Sequence, residues 1–438
     1  MKPFLTTAYK LTLLAIAALI TVYPMALIAA IAAKVNDCLH APVQRGMLLG
    51  ANTLTQLIPD AFQAMDTVVR EMVGFIPACT MNADAARAAL GQTVRSHVAP
   101  ALAAVDTTPA AYPADAADFA MGNKPLTITK SKVVPFHWLG EEQKGAGFST
   151  GYTSMRQDQI AQAIRTLVNL IEVDLGTLAL KGSRAYGTAN TTPFASDLSD
   201  TANVLKILKD NGAPGGDLQC VINTTAGAKV RTLTNLTKAN EAGTIALREQ
   251  GILLPLHGMT LRESAAVQSV AVGTAAAGTT NAAGYAVGAT VLTLAAVGTG
   301  TIISGDVMVF AGDVNKYVID TTSGGASLTL GAGGTITLQK PGLRVAMSAA
   351  TKAITTVAQS SKNLAFHRSA MHLALRTPAL PEEGDSADDR MVLTDERTGI
   401  SFEFAMYKQY RRVRYEVAAA WGYELIKNEF SAVLLGEA

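Results

Sequence analysis

The chain has 438 residues, 16% of them charged, with 36 Lys and Arg against 35 Asp and Glu; at ~150 residues per domain this allows about three domains and a sizeable core. A net charge of +1 lacks the basic surplus with which a general nucleic-acid binder neutralises phosphates. Three scattered cysteines (Cys38, Cys79, Cys220) without a CxxC pair exclude a disulfide framework and a cysteine zinc finger, and a single long apolar stretch excludes a polytopic membrane protein.

That stretch comes first. Leu11–Ala33 is 23 residues without a charge, set between Lys10 and Lys34. Three readings fit it: a membrane anchor or signal peptide, a structural helix interrupted at Pro24, or sequence lying upstream of a start at Met47. Asn52–Val73 then spaces Leu54, Leu57, Ile58, Phe62, Met65, Val68, Val69 and Val73 as a helix broken at Pro59. Thr80–Asp118 is Ala- and Pro-rich with little periodicity and reads as an extended arm. In Leu126–Leu139, Leu126 and Ile128 alternate with threonines before Val133, Val134, Phe136 and Trp138, which predicts the strands of a long hairpin or its base.

Thr153–Leu180 predicts the longest helix. Ile160, Ile164, Leu167, Ile171, Leu175 and Leu178 recur at steps of three and four, opposite Arg156, Gln159, Gln162, Arg165 and Asn169. A helix of ~28 residues spans ~42 Å, the length of a spine. After a loop at Gly182–Ser196, Ser199 is placed as the cap of a second helix that stops at Asn211–Gly212. Leu218–Ile222 reads as a buried strand and Ala226–Thr237 as a further helix, an α/β pattern.

Composition then changes. Ala265–Pro341 holds 13 of the 37 glycines and five charged residues in 77 positions. Short alternating runs between Gly-Asp, Gly-Gly and Ser-Gly turns predict a compact, inserted all-β barrel or sandwich. Beyond it, Ala349–Ala358 reads as helical, Asn363–Leu375 as short and apolar, and Pro381–Asp389 as an acidic loop. Ile400–Met406, Arg411–Val417, Tyr423–Ile426 and Ala432–Leu435 are expected to form a terminal antiparallel meander.

Chemistry is sparse. Gly147-Phe-Ser-Thr-Gly151 matches the nucleophile-elbow pattern around Ser149, but a polar, Gly-rich stretch precedes it where that turn needs a strand. His367 and His372 are five apart, off the spacing that puts two imidazoles on one helical face. Glu382, Glu383, Asp385, Asp388 and Asp389 lack the alternating ligand spacing of a calcium loop and read as a solvated face. Lys408, Arg411, Arg412 and Arg414, interleaved with Tyr407, Tyr410 and Tyr415, form a basic and aromatic strand face suited to another chain rather than to nucleic acid. No catalytic, cofactor or metal site is expected, and the chain reads as structural.

The layout resembles the major capsid proteins of tailed bacteriophages, of the Hong Kong ninety-seven type fold, in the subgroup with an inserted β-barrel. The stretches carrying the resemblance are Asn52–Asp60, Leu90–Ser96, Ser183-Arg-Ala-Tyr-Gly187, Gly305–Asp313 with Asn315-Lys-Tyr317, Asn363–Arg368, Tyr415–Gly422 and Phe430–Gly436. It implies an α+β fold with an N-terminal arm (47–118), an extended loop (119–152), a spine helix with peripheral domain (153–195), an axial domain (196–264 and 342–390), the inserted barrel (265–341) and peripheral C-terminal strands (391–438). Residues 1–46 would stand outside the functional protein. The resemblance also implies what the chain does: a virion shell of pentamers and hexamers around double-stranded DNA, assembled in the host bacterial cytoplasm with a scaffolding protein and a portal, without enzymatic activity, cofactor or membrane.

Some family members cross-link a loop lysine to a neighbour's asparagine; Lys124, Lys130, Lys132, Lys144 and Asn428 occupy such regions here, and nothing in the sequence joins them. The expected subunit-interface residues are Trp138 and two groups of opposite charge, Glu382, Glu383, Asp385, Asp388 and Asp389 against Arg411, Arg412 and Arg414, pairing across a boundary. Two other function classes carry distinct expectations: an envelope-anchored or secreted adhesin using Leu11–Ala33, and a serine hydrolase using Ser149.

Overall fold

The computed structural model describes residues 61–65, 68, 74–98, 106–107, 109, 122–145, 150–237, 253, 255–394 and 400–437, all within the unit Leu54–Ala438. The apolar segment Leu11–Ala33, the start at Met47 and the elbow serine Ser149 lie outside these residues. Among the described residues no helix is long and apolar enough to cross a membrane.

The predicted spine is a 28-residue helix, Thr150–Thr177, whose last predicted turn tightens into the 3₁₀ segment Leu178–Lys181. Ile160, Ile164, Leu167, Ile171 and Leu175 form one stripe in the main core, while Asp158, Gln162, Thr166 and Asn169 face outward. Each such apolar side chain contributes about 1.5–3 kcal/mol on burial, so the stripe is what seats the helix. It packs on the strands Lys130–Leu139 and Arg412–Leu425.

Those strands belong to a six-stranded sheet. Its path runs Thr80–Ala88, Met371–Pro378, Arg412–Leu425, Ser401–Gln409, Asp389–Thr394, with Lys130–Leu139 also paired to Arg412–Leu425. The 14-residue strand is long enough to hold three partners: Ser401–Gln409 from Gln409↔Arg412 to Glu403↔Ala418, Met371–Pro378 from Arg376↔Ala420 to Met371↔Leu425, and Lys130–Leu139 from Leu139↔Arg412 to Lys130↔Trp421.

One buried carboxylate fixes the helix to this sheet. Asp174, 6% exposed, accepts 2.8 Å from Trp421 Nε1 and 2.5 Å from Lys130 Nζ. Apolar burial alone has no direction; a charge-assisted pair at this depth sets the register.

The second sheet runs Ile354–Thr356, Val307–Phe310, Lys316–Thr322, Arg184–Tyr186, Ser431–Leu435, Ser360–His367, Leu218–Ile222, Met259–Glu263. Leu218–Ile222 is buried throughout, as expected of an unbroken apolar run. Helices Ser199–Asp210 and Thr224–Thr232 pack beside it around Val204, Leu208, Ala226 and Val230. The class is α+β.

Several expectations are corrected. Thr80–Asp118 is not wholly an extended arm: Thr80–Ala88 is a strand parallel to Met371–Pro378, and Thr93–Val98 pairs with Gly122–Thr127. Alanines carry no period-two signal, yet Ala88 is small enough to pack on Ala374 and Ala420. Leu126–Leu139 is not one hairpin, because its two halves take different partners. At the crossing, a Cβ on Gly422 would lie 2.1 Å from the Thr127 carbonyl oxygen, so only glycine admits the chain there.

Ala349–Ala358 is not helical; β-branched Ile354–Thr356 pairs with Val307–Phe310. Ser431–Leu435 leaves the terminal meander for the second sheet, where it is buried throughout. Ser199 is the first residue of its helix rather than the cap, with the Asp197 side chain accepting its amide. The helix does stop as expected, at Gly212 with φ +78°.

The Gly-rich stretch has its own apolar core, including Leu292, Ile302, Phe310, Ile319 and Ile336. It is not set apart from the rest, since Lys316↔Ala185 and Tyr317↔Arg184 splice it into the second sheet. Lys362, 3% exposed, reinforces the splice by donating to the Gly305 carbonyl.

Two predictions follow from these burials. Asp174→Ala, which strands the Trp421 N–H, lowers unfolding free energy by about 1–3 kcal/mol in urea titrations; Asp174→Asn, which still accepts from Trp421, costs less. Equal losses in the two variants would contradict the assigned role. Burial pushes the Lys362 ammonium down from 10.5 to about 8, so the unfolded chain holds a proton that the folded chain has released between these values. Its contribution to stability therefore rises with pH across that window. Wild-type stability measured relative to Lys362→Met should climb by up to about 1.4 kcal/mol per pH unit there, and a flat difference would contradict it.

Candidate assembly surface

The charged residues singled out in sequence meet at one end of the six-stranded sheet. Asp389 pairs with Met406, three residues from the hairpin end Gln409↔Arg412. The acidic loop therefore lies beside the basic hairpin within one chain.

Much of that charge is already spent there. Asp385 accepts 3.0 Å from Tyr407 Oη and 2.9 Å from the Ala387 amide, and pairs with Arg390. The Ala387 amide, then Tyr407 and Arg390, hold its carboxyl below the usual carboxylate range. Asp388 pairs with Lys408, Asp389 accepts 2.8 Å from the Arg390 amide, and Arg414 pairs with Glu416. Of the charged residues expected to pair across a boundary, Asp385, Asp388, Asp389 and Arg414 thus have partners within the chain.

Glu382 and Glu383 sit exposed at the tip of a turn closed by the Gly384 amide on the Pro381 carbonyl, 3.1 Å. Arg411 and Arg412 are exposed at the hairpin tip, and Arg412 donates to Gln409.

Trp138, expected at a subunit interface, has partners within its own chain. It is 6% exposed, lies in the main core of its own chain, and donates 2.7 Å to Gln159 on the spine helix. A lone aromatic in a strand looks the same in sequence whether it anchors a partner or fills a core.

An inner network escaped the sequence reading. Glu403, 4% exposed, forms an ion pair with Arg390 at 2.8 Å and accepts from Arg87 at 2.5 Å. It ties the acidic loop to the sheet and to the Thr80–Ala88 strand. Its one sequence signal is a carboxylate between Phe402 and Phe404 in an otherwise apolar strand.

The stretches Ser183–Gly187 and Asn315–Tyr317 form a buried polar seam. Arg184, 2% exposed, donates to Asn315 at 3.1 Å and Asn211 at 3.0 Å, and Tyr317 donates to Asp313 at 2.6 Å. Two of the loop lysines have partners within the chain, Lys130 with Asp174 and Lys124 donating 2.6 Å to the Ile426 carbonyl, and Asn428 donates to Gln339.

His367 contacts Ser369 Oγ at 2.8 Å and His372 lies 3.1 Å from the Ser369 carbonyl oxygen. Burial, the main cause, pushes the His372 imidazole down. Burial also raises the Cys79 and Cys220 thiols to about 12, far from nucleophilic thiolates. In a cleft of about 410 Å³, Lys181 and Glu424 pair with each other at 2.7 Å. Among the described residues no three metal-ligating side chains gather.

No family model matches the chain, and no curated protein does. Among solved structures it is similar to a chain of Mycobacterium phage Che8, at 13% identity and a TM-score of 0.40, covering 79% of this chain and 85% of that one. It is also similar to the capsid of cyanophage P-SCSP1u, at 10% identity and a TM-score of 0.43, covering 82% and 86%. The mature capsid of bacteriophage PhiM1 is a third, at 10% identity and a TM-score of 0.38, covering 82% and 85%.

Replacing Arg390 with alanine leaves the buried Glu403 with Arg87 as its one remaining cation and unties Asp385. Loss of about 2–4 kcal/mol in urea titrations and faster proteolysis between residues 379 and 388 are expected. A wild-type cleavage rate would contradict the network.

Proposed function

We propose that the chain is the major capsid protein of a tailed bacteriophage, a structural protein whose copies build an icosahedral shell around double-stranded DNA. The carrying observation is the order of elements: a paired ribbon, a strand, a 28-residue helix lying on the sheet that strand joins, a second sheet, and a return of the last strands to both. This order supports the layout that the sequence resemblance implies.

On this reading the ribbon of Thr93–Val98 with Gly122–Thr127 is the base of the extended loop, the 28-residue helix is the spine, the six-stranded sheet is the peripheral domain and the second sheet is the axial domain. The Gly-rich stretch is the inserted barrel. Copies gather as pentamers and hexamers in the host cytoplasm, aided by a scaffolding protein and a portal. The wall, with a net charge of +1, holds the genome without gripping it. Each contact is weak, and closure by symmetry multiplies it.

Negative-stain microscopy of the purified full chain tests this. Closed or partial shells tens of nanometres across are expected; small monodisperse particles under every assembly condition would contradict it. Membrane fractionation and fluorophosphonate labelling lost in Ser149→Ala are the results that would instead favour an anchored adhesin or a serine hydrolase.

A further inference from the structure

Two turns stand at the same end of the six-stranded sheet with opposite charge. The acidic turn carries Glu382 and Glu383 behind Pro381, all three exposed. The basic turn is the two-residue tip between Gln409 and Arg412, with Tyr410 89% exposed and the Arg411 guanidinium 5.8 Å from its ring centroid. Their neighbours Asp385, Asp388, Lys408 and Arg414 are consumed in ion pairs within the chain. Among the described residues Glu382, Glu383, Arg411 and Arg412 form no ion pair. The nearest other acidic element, the helix Gly140–Gly145, uses Glu142 to accept the Leu139 amide at 2.9 Å, and meets Arg411 through backbone, Gly140 donating to its carbonyl.

The tip is also strained. Two-residue hairpin turns favour Gly, Asn or Asp where φ is positive, yet Arg411 holds φ +56°. Left-handed backbone costs a branched-free L residue about 1–2 kcal/mol, which a glycine would avoid. The turn thus presents Tyr410 and Arg411 outward on a backbone that a glycine would adopt with less strain.

We infer that the Glu382–Glu383 turn of one copy receives the Tyr410–Arg412 turn of the next, a head-to-tail contact between copies of this chain. Guanidinium groups donate to the carboxylates, and the Tyr410 ring packs on Pro381. Repeated head to tail, the contact propagates around an axis and closes into a ring when the rotation allows. It rests on the shell reading and names which surfaces carry one of its contacts.

The test uses the full chain, its assembly followed by light scattering and microscopy. Arg411→Glu with Arg412→Glu, and separately Glu382→Lys with Glu383→Lys, should each raise the concentration needed for assembly by about tenfold or more, since like charges then face each other. All four changes in one chain restore the complementarity and should return assembly toward wild type. The reversed positions are exposed, so wild-type melting curves are expected for each variant. Reversed variants that assemble like wild type, or a fourfold variant no better than either pair, would overturn this contact while leaving the shell reading intact. A wild-type chain that never assembles overturns both.

Discussion

The fold turns on the Asp174 carboxylate. It sits on the spine helix, takes a hydrogen bond from Trp421 on the longest strand and an ion pair from Lys130 on the strand beside it. Greasy stripes permit sliding; this junction does not, because displacement by one turn would leave a buried charge and an indole N–H without partners. Half a turn earlier, Glu172 accepts the Phe75 and Ile76 amides and the Ser264 hydroxyl. Two carboxylates on one helix thus orient the N-terminal segment, the six-stranded sheet and the chain leaving the second sheet.

From that anchoring the outer surface follows. Arg412–Leu425, held by Trp421, sets the register of Ser401–Gln409 and hence where the hairpin tip and acidic loop stand. Arg87, Arg390 and Glu403 clamp the loop from inside, leaving outward the charges that no internal partner takes. A near-neutral chain can still present paired patches of opposite sign, and such patches direct partners more than they add affinity.

What was legible in sequence was local. The spine helix shows in isoleucines and leucines at three- and four-residue steps, Leu218–Ile222 in its unbroken apolar run, and the Gly-rich β region in its turn punctuation. Long-range pairing was not legible. Thr80–Ala88 is an alanine-rich strand whose partner lies about 290 residues away, and Ile354–Thr356 was masked by the alanines before it. Of the nine expected interface residues, the sequence pattern could identify charge but not which charges the chain itself consumes. Trp138 and Glu403 show the same limit, since burial depends on neighbours that sequence spacing does not bring together.

The most direct test is a three-dimensional reconstruction of assembled particles at side-chain resolution. The expected result is a closed shell in which the spine helix stays pinned at Trp421 and the Tyr410–Arg412 tips lie against the acidic turns of neighbouring copies. A discrete small oligomer, with those tips facing solvent, would contradict it.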